Sequence, residues 1–288
     1  MKRVPARLST THVDRHNEAL TVGALRGMIE HINAVYLPMT VEHDPRIAPI
    51  GRIASAYLTE LEDGEFAVDG IIEFFEEADT FLPDEPLRSA LVNFAKTEQL
   101  VVSADRAFAS FEDQNSLHEL ATDLGALRET NAKKSVEPIA ILGIAIKLAD
   151  GIASGIGEKI GAEVWEKIRP KLAEFFNRKR DTPEQLLKFE ITTFAGGRDR
   201  LVEVIVSNPT AEDFDALSLE SIDDAVNEAI RRIRDSPAIV RVVFDHSRAN
   251  GLQFLYGVAS NGLPVGTKIR PYTGDVSGVS FGGRREDA

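Results

Sequence analysis

From Ile139 to Gly157 the chain reads Ile-Ala-Ile-Leu-Gly-Ile-Ala-Ile-Lys-Leu-Ala-Asp-Gly-Ile-Ala-Ser-Gly-Ile-Gly, and nothing else in its 288 residues limits the fold as strongly. Apolar surface on this scale has to leave water, so the segment belongs in a core, in an assembly interface or in a bilayer. Its length is that of a minimal membrane span. Lys147 and Asp150 stand near its middle, however, and each charge costs roughly 2.5–3.5 kcal/mol at the centre of a bilayer. Spaced three apart, the two can pair on one helical face, and Gly151 and Gly155 place small residues where a second helix can approach closely. The expectation is a Gly-rich apolar helix, buried or oligomerising, in a soluble homo-oligomer; membrane insertion is the less favoured alternative.

The flanks continue the helical pattern. Leu117, Leu120, Leu124 and Leu127 recur at helical spacing before a polar Thr130–Ser135 stretch, and Ile152, Ile156, Ile160 and Val164 lie four apart. Ile168, Leu172 and Phe175 follow, and Arg178-Lys179-Arg180 supplies positive charge where a helix dipole favours it. Residues 116–181 are therefore expected to form a long helical connector.

On either side of it the pattern changes. Before it, Ala34–Val41, Ile50–Leu58, Glu65–Phe74 and Leu100–Val102 read as strands, with a turn at Glu62-Asp63-Gly64 and helices over Val22–Ile32 and Pro86–Thr97. After it, residues 182–263 read β-β-α-β-β. Lys188–Phe194 and Leu201–Ser207 flank the hairpin signal Ala195-Gly196-Gly197. Thr210 and Ser221 are candidate helix N-caps, each with an acidic residue three positions on. Ile239–Asp245 and Leu252–Ala259 are joined across Asn250-Gly251. This reads as a small α/β partner-binding domain with an antiparallel sheet, followed by a loosely ordered Gly-rich tail over 264–288. The fold class is α+β.

The net charge of −13 is concentrated at the front, since residues 1–130 carry 11 basic and 23 acidic side chains, whereas residues 131–180 carry 10 and 6. Phosphates would be repelled from that front half, and no nucleic-acid partner is expected. The chain has no cysteine, which excludes disulfides, thiolate metal sites and cysteine nucleophiles. With no Gly-rich phosphate loop and no cluster of metal-ligand spacing, no cofactor or metal is expected. Met1-Lys-Arg-Val-Pro-Ala-Arg lacks the apolar stretch of a secretory signal, so a cytoplasmic location is expected.

Five pieces in the front of the chain carry a family resemblance. Ser9-Thr10-Thr11-His12-Val13-Asp14-Arg15 is followed by Leu20-Thr21-Val22-Gly23-Ala24-Leu25. Glu42-His43-Asp44 leads into Pro49-Ile50-Gly51-Arg52-Ile53, and Leu100-Val101-Val102-Ser103 closes the series. In this order, over about residues 4–112, they resemble the prohead serine proteases of tailed phages. The resemblance implies a herpesvirus-protease-like β-barrel with helices over residues 1–115. It also implies endopeptidase activity on a scaffold, capsid or other protein partner, as in capsid maturation, with His43 as general base and Ser103 as nucleophile. A serine hydroxyl needs such a base, and the base needs an orienting partner. That third member is not readable from the sequence: Glu73 and Asp105 are the candidates. Asp44 is expected to stabilise a local turn, because neighbours in extended chain point to opposite faces. The run Ser103-Ala104-Asp105-Arg106-Ala107-Phe108 departs from the family in lacking a glycine after the serine. Asp105 there would either repel a developing oxyanion or orient His43. The rival reading is a catalytically inactive protease-fold protein acting as an oligomerising, membrane-associating or defence-related interaction or effector protein.

In the tail domain Asp245-His246-Ser247 has triad residue types, but three adjacent residues at a strand end cannot converge, and a turn with local hydrogen bonds is expected there.

Overall fold

The computed structural model describes residues 1–13, 19–41, 44–76, 100–108, 110–131, 139–148, 160, 162–178 and 184–268. The protein is α+β, with two sheets, and it divides into two compact units. The first comprises residues 1–92, 134–136 and 258–288; the second comprises residues 93–133 and 137–257.

In the first unit β1 (Lys2–Thr10), β2 (Leu37–Met39), β3 (Gly51–Glu60) and β4 (Phe66–Phe74) form an antiparallel sheet in the order β1-β4-β3-β2. The β3–β4 hairpin turns at Gly64, whose φ of 84° suits glycine, as the Glu62-Asp63-Gly64 signal requires. Helix α1 (Val22–Ala34) starts at Thr21, whose hydroxyl accepts from the Ala24 N–H at 3.2 Å. It buries Leu25 and Ile32 against Ile53, Ala56, Val68 and Ile72. β2 is short and pairs with β3 only as far as Ile53. Beyond it the Asn33 side-chain amide bonds both the N–H and the C=O of Ala56, each at 2.9 Å, and so stands in for a strand partner.

The second unit is built on β5 (Val101–Asp105), β6 (Leu127–Asn131), β7 (Ile139–Lys147), β8 (Glu184–Ala195), β9 (Arg198–Ser207), β10 (Ile239–Ser247) and β11 (Gly251–Ala259). They lie in the order β11-β10-β9-β8-β7-β5-β6; the chain enters the first unit's residues within β11, and the short β12 (Pro264–Val265) pairs beyond it. Three parallel pairs, β5–β6, β7–β8 and β9–β10, alternate with antiparallel β5–β7 and β8–β9. Each parallel pair is bridged by helix, as a parallel crossover requires: α2 (Phe111–Leu124), α3 (Ala162–Asn177), and α4 (Ala211–Ala216) with α5 (Leu219–Asp235). The helices cover one sheet face. There Trp165 of α3 lies against Phe189 of β8 with ring centroids 6.1 Å apart, and Phe108–Phe175 and Phe176–Phe214 continue the layer at 5.1 and 6.0 Å.

Four expectations are corrected. The apolar segment is not a helix from Ile139: residues 139–147 are β7, an interior strand buried along nearly its whole length. A strand buried on both faces is apolar without alternation, and that pattern is indistinguishable from a buried helix by periodicity alone. Among the described residues no helix is long and apolar enough to cross a membrane. The span 116–181 is consequently not a helical connector, since it holds β6 and β7 between α2 and α3. Residues 182–263 do not stand apart with an antiparallel sheet: β8 pairs with β7, and β9 runs parallel to β10. The N-cap of α5 is Ser218, whose hydroxyl accepts from the Ser221 N–H at 3.0 Å, rather than Ser221. Thr210 does cap α4, in a capping box with Asp213. Residues 86–97, Gly151, Gly155 and residues 269–288 lie outside the described residues.

Candidate active site

Ser103 sits in the middle of β5, between β6 and β7. Strand alternation sends Val102 and Ala104 to the helix-covered face and Ser103 and Asp105 to the other. In register, Ser103 lies beside Gly143 of β7, and Gly143 beside Lys188 of β8. Gly143 is what makes room for the hydroxyl. A Cβ built there would collide with Ser103 Oγ and would lie 3.8 Å from Glu190 Oε2. The Ser103 oxygen and the Glu190 carboxylate thus border the same space, and Ser103 is 6% exposed.

This face carries a row of charge in which Glu190 and Glu203 are buried and Lys188 and Arg241 half-buried. Lys188 Nζ lies 2.6 Å from Glu190 Oε1 and 3.7 Å from Glu203 Oε1, and Arg241 Nε donates to Glu203 Oε2 at 2.8 Å. Two cations alternate with two carboxylates, as the cost of burying charge demands. Burial opposes the charged form of Lys188, but Glu190 and Glu203 outweigh it and raise its pKa. Burial likewise opposes ionisation of Glu203, while Arg241 and Lys188 hold its carboxyl below the usual range. Lys188 is therefore an ammonium and cannot serve Ser103 as a general base.

The other expected site residues are placed as follows. His43 and Glu42 lie outside the described residues. Glu73 belongs to β4 in the first unit, where Oε2 accepts from Arg52 Nε at 2.6 Å and Oε1 from Arg3 Nε at 2.8 Å. Arg52 also donates to the Asn261 carbonyl and lies over the Tyr36 ring, 4.0 Å from its centroid. Burial works against the Glu73 carboxylate, yet the two guanidinium groups hold its pKa below the usual value. Both its oxygens are committed to arginine. Asp105 shares the Ser103 face, and its Oδ2 accepts the Ile141 N–H at 2.8 Å, fastening β5 to β7. Asp44 accepts from the Arg46 N–H at 2.9 Å and from its guanidinium at 2.9 and 2.8 Å, which is a local turn as expected.

At the far end of the same sheet, where β10 finishes, a cavity of about 300 Å³ is lined by Ser221, Asp224, His246, Ser247 and Arg248. His246 is 4% exposed and lies on the helix-covered face, with no partner for its Nδ1 among the described residues. Burial lowers its pKa against the pull of Asp213 and Asp245. Ser247 Oγ accepts from the Asn250 N–H at 3.3 Å, a local turn bond. The three adjacent residues do not converge. Among the described residues no three His, Asp or Glu side chains are grouped to hold a metal ion.

Lys188, Glu190, Glu203 and Arg241 are not among the sequence candidates. Their signal is Lys188 and Glu190 at positions i and i+2 of one strand, which places them on one face, and Glu203 and Arg241 as single charges within strongly apolar strands. The chain matches no family model, no curated protein and no solved structure.

Proposed function

We propose that this chain is a serine endopeptidase of the prohead-protease type, acting on a scaffold, capsid or other protein partner, with Ser103 as nucleophile and His43 as general base. Ser103 Oγ attacks the peptide carbonyl as its proton passes to His43; the C–N bond then breaks as His43 protonates the leaving amine, and water resolves the acyl-enzyme. A herpesvirus-protease-like barrel in the front of the chain and a homo-oligomeric state belong to the same reading. Its support is the ordered resemblance from Val13-Asp14-Arg15 to Ser103, together with one feature of the geometry. The Ser103 hydroxyl is held on an interior strand, in room left by Gly143.

A second reading, a catalytically inactive interaction or effector protein, is favoured by the low exposure of Ser103 and by the commitment of Glu73 to Arg3 and Arg52. One experiment separates the two. Wild type and Ser103→Ala are treated with a serine-directed fluorophosphonate and co-expressed with candidate protein partners. Labelling and processing confined to wild type support the peptidase. Identical processing, with neither protein labelled, rejects it in favour of the inactive reading.

A further inference from the structure

The cavity where β10 ends contains a polar side chain that its other walls leave unsatisfied. His246 is 4% exposed and lines that space of about 300 Å³, yet its Nδ1 has no hydrogen-bond partner among the described residues. Buried polar atoms of native proteins are almost always answered by a partner, because leaving one unmet is costly. We infer that the cavity is a binding site for a small organic molecule bearing a primary ammonium group, held between the Asp224 carboxylate and the His246 ring; this is independent of Ser103 and of the peptidase reading. The sign of the ligand's charge follows from the walls. Asp224, exposed on α5, makes no ion pair among the described residues. Arg248, the cation of the lining, is taken by Glu212, and its N–H donates to Asp213 Oδ1 at 3.4 Å. Asp213 of α4 and Asp245 of β10 add negative field at His246, while burial outweighs them and keeps the ring neutral at neutral pH. An anion would meet net repulsion there, and a cation net attraction. The cavity stands at the small end of the range of ligand pockets, which limits the size of the molecule. An ammonium group has three N–H donors. Asp224, a lone pair on His246 Nδ1 and the hydroxyl of Ser221 or Ser247 can accept them. Both hydroxyls are already set by a local bond, Ser221 Oγ with Ser218 Oγ at 3.0 Å and Ser247 Oγ with the Asn250 N–H at 3.3 Å, and each keeps a lone pair to spare.

The test titrates the full chain with n-butylamine at constant ionic strength, because a chain of net charge −13 attracts any cation. The ring resonances of His246 are followed by NMR and assigned by their loss in His246→Gln. A saturable shift is expected with butylamine and none with butyrate, a probe of similar size and opposite charge. Asp224→Asn, a change at an exposed position, is expected to weaken binding at least about tenfold. Glu163→Gln removes a charge from the exposed start of α3 and is expected to change binding less than about twofold. Bound amine should also lower the His246 pKa, since a neighbouring cation disfavours the imidazolium, so binding weakens as pH falls through that value. Three results each overturn the inference. One is no saturation by about 30 mM amine, the second is an equal response to butyrate, and the third is equal weakening by Asp224→Asn and Glu163→Gln, which marks diffuse attraction to the surface. Should His246→Gln fail to fold, calorimetric titration of wild type against Asp224→Asn and Glu163→Gln is judged by the same limits.

Discussion

At the scale of single residues, the chain repeatedly places a charge or a hydroxyl where burial makes its partner indispensable. Glu73 is 2% exposed between two arginines. Glu73→Gln should cost about 3 kcal/mol, because Arg52 would be left as an uncompensated buried charge, and the urea midpoint measures this. Gly143→Ala should be as damaging as a large core change, since the new methyl collides with Ser103 Oγ. Pairing it with Ser103→Ala should recover much of the loss, and no recovery would mean that another clash decides. His246 titrates in the opposite sense to a salt-bridged histidine. Its folded pKa lies below the usual 6.5, so the unfolded chain takes up the proton first, and stability falls as pH drops below about 6.5 through the folded value. His246→Gln should flatten that part of the stability profile between about pH 7 and 5, while an unchanged slope would assign it elsewhere.

At the scale of elements, each strand owes its place to what its two flanks can bond and its two faces can bury. β3 outruns β2, and Asn33 fills the vacancy at Ala56 with two backbone-like hydrogen bonds. Asn33→Ala should therefore cost about 1–3 kcal/mol, since it strands a part-buried N–H and C=O, and its effect should exceed that of Asn33→Asp, which keeps the acceptor for the Ala56 N–H. β7 shows how an element's type can be hidden. Its Ile-Ala-Ile-Leu-Gly-Ile-Ala-Ile run is apolar on every side because residues pointing to either face are buried. Amide exchange should find residues 140–146 among the most protected in the chain. A helix start is easier to read: Thr210 is recognised as the cap of α4 from the acidic residue three positions on, because capping depends only on near neighbours.

At the scale of the whole molecule, acid should be the natural denaturant. Asp44, Glu73, Glu203 and Asp213 all have pKa values held below the ordinary carboxylate range by partners that outweigh burial. Such groups contribute stability above the unfolded pKa and lose it as pH falls through the folded one. The urea midpoint should fall progressively below about pH 4.5, and a midpoint independent of pH down to about 3 would show that these pairs do not hold the fold. The sequence by itself determined what depends on near neighbours: the α4 cap, the Gly64 and Gly196-Gly197 turns and most strand positions, and with them the α+β class. Only the tertiary structure decided that Ile139–Lys147 is a strand, that β5 with Ser103 shares a sheet with β7 to β11, and that Glu73 is committed to Arg3 and Arg52. The reason is physical. A turn or cap is set by a few adjacent dihedrals and side chains, whereas strand partners and the burial of both faces depend on residues far apart in the chain, as Lys2 and Phe74 or Ser103 and Gly143 are, whose pairing leaves no local periodic trace.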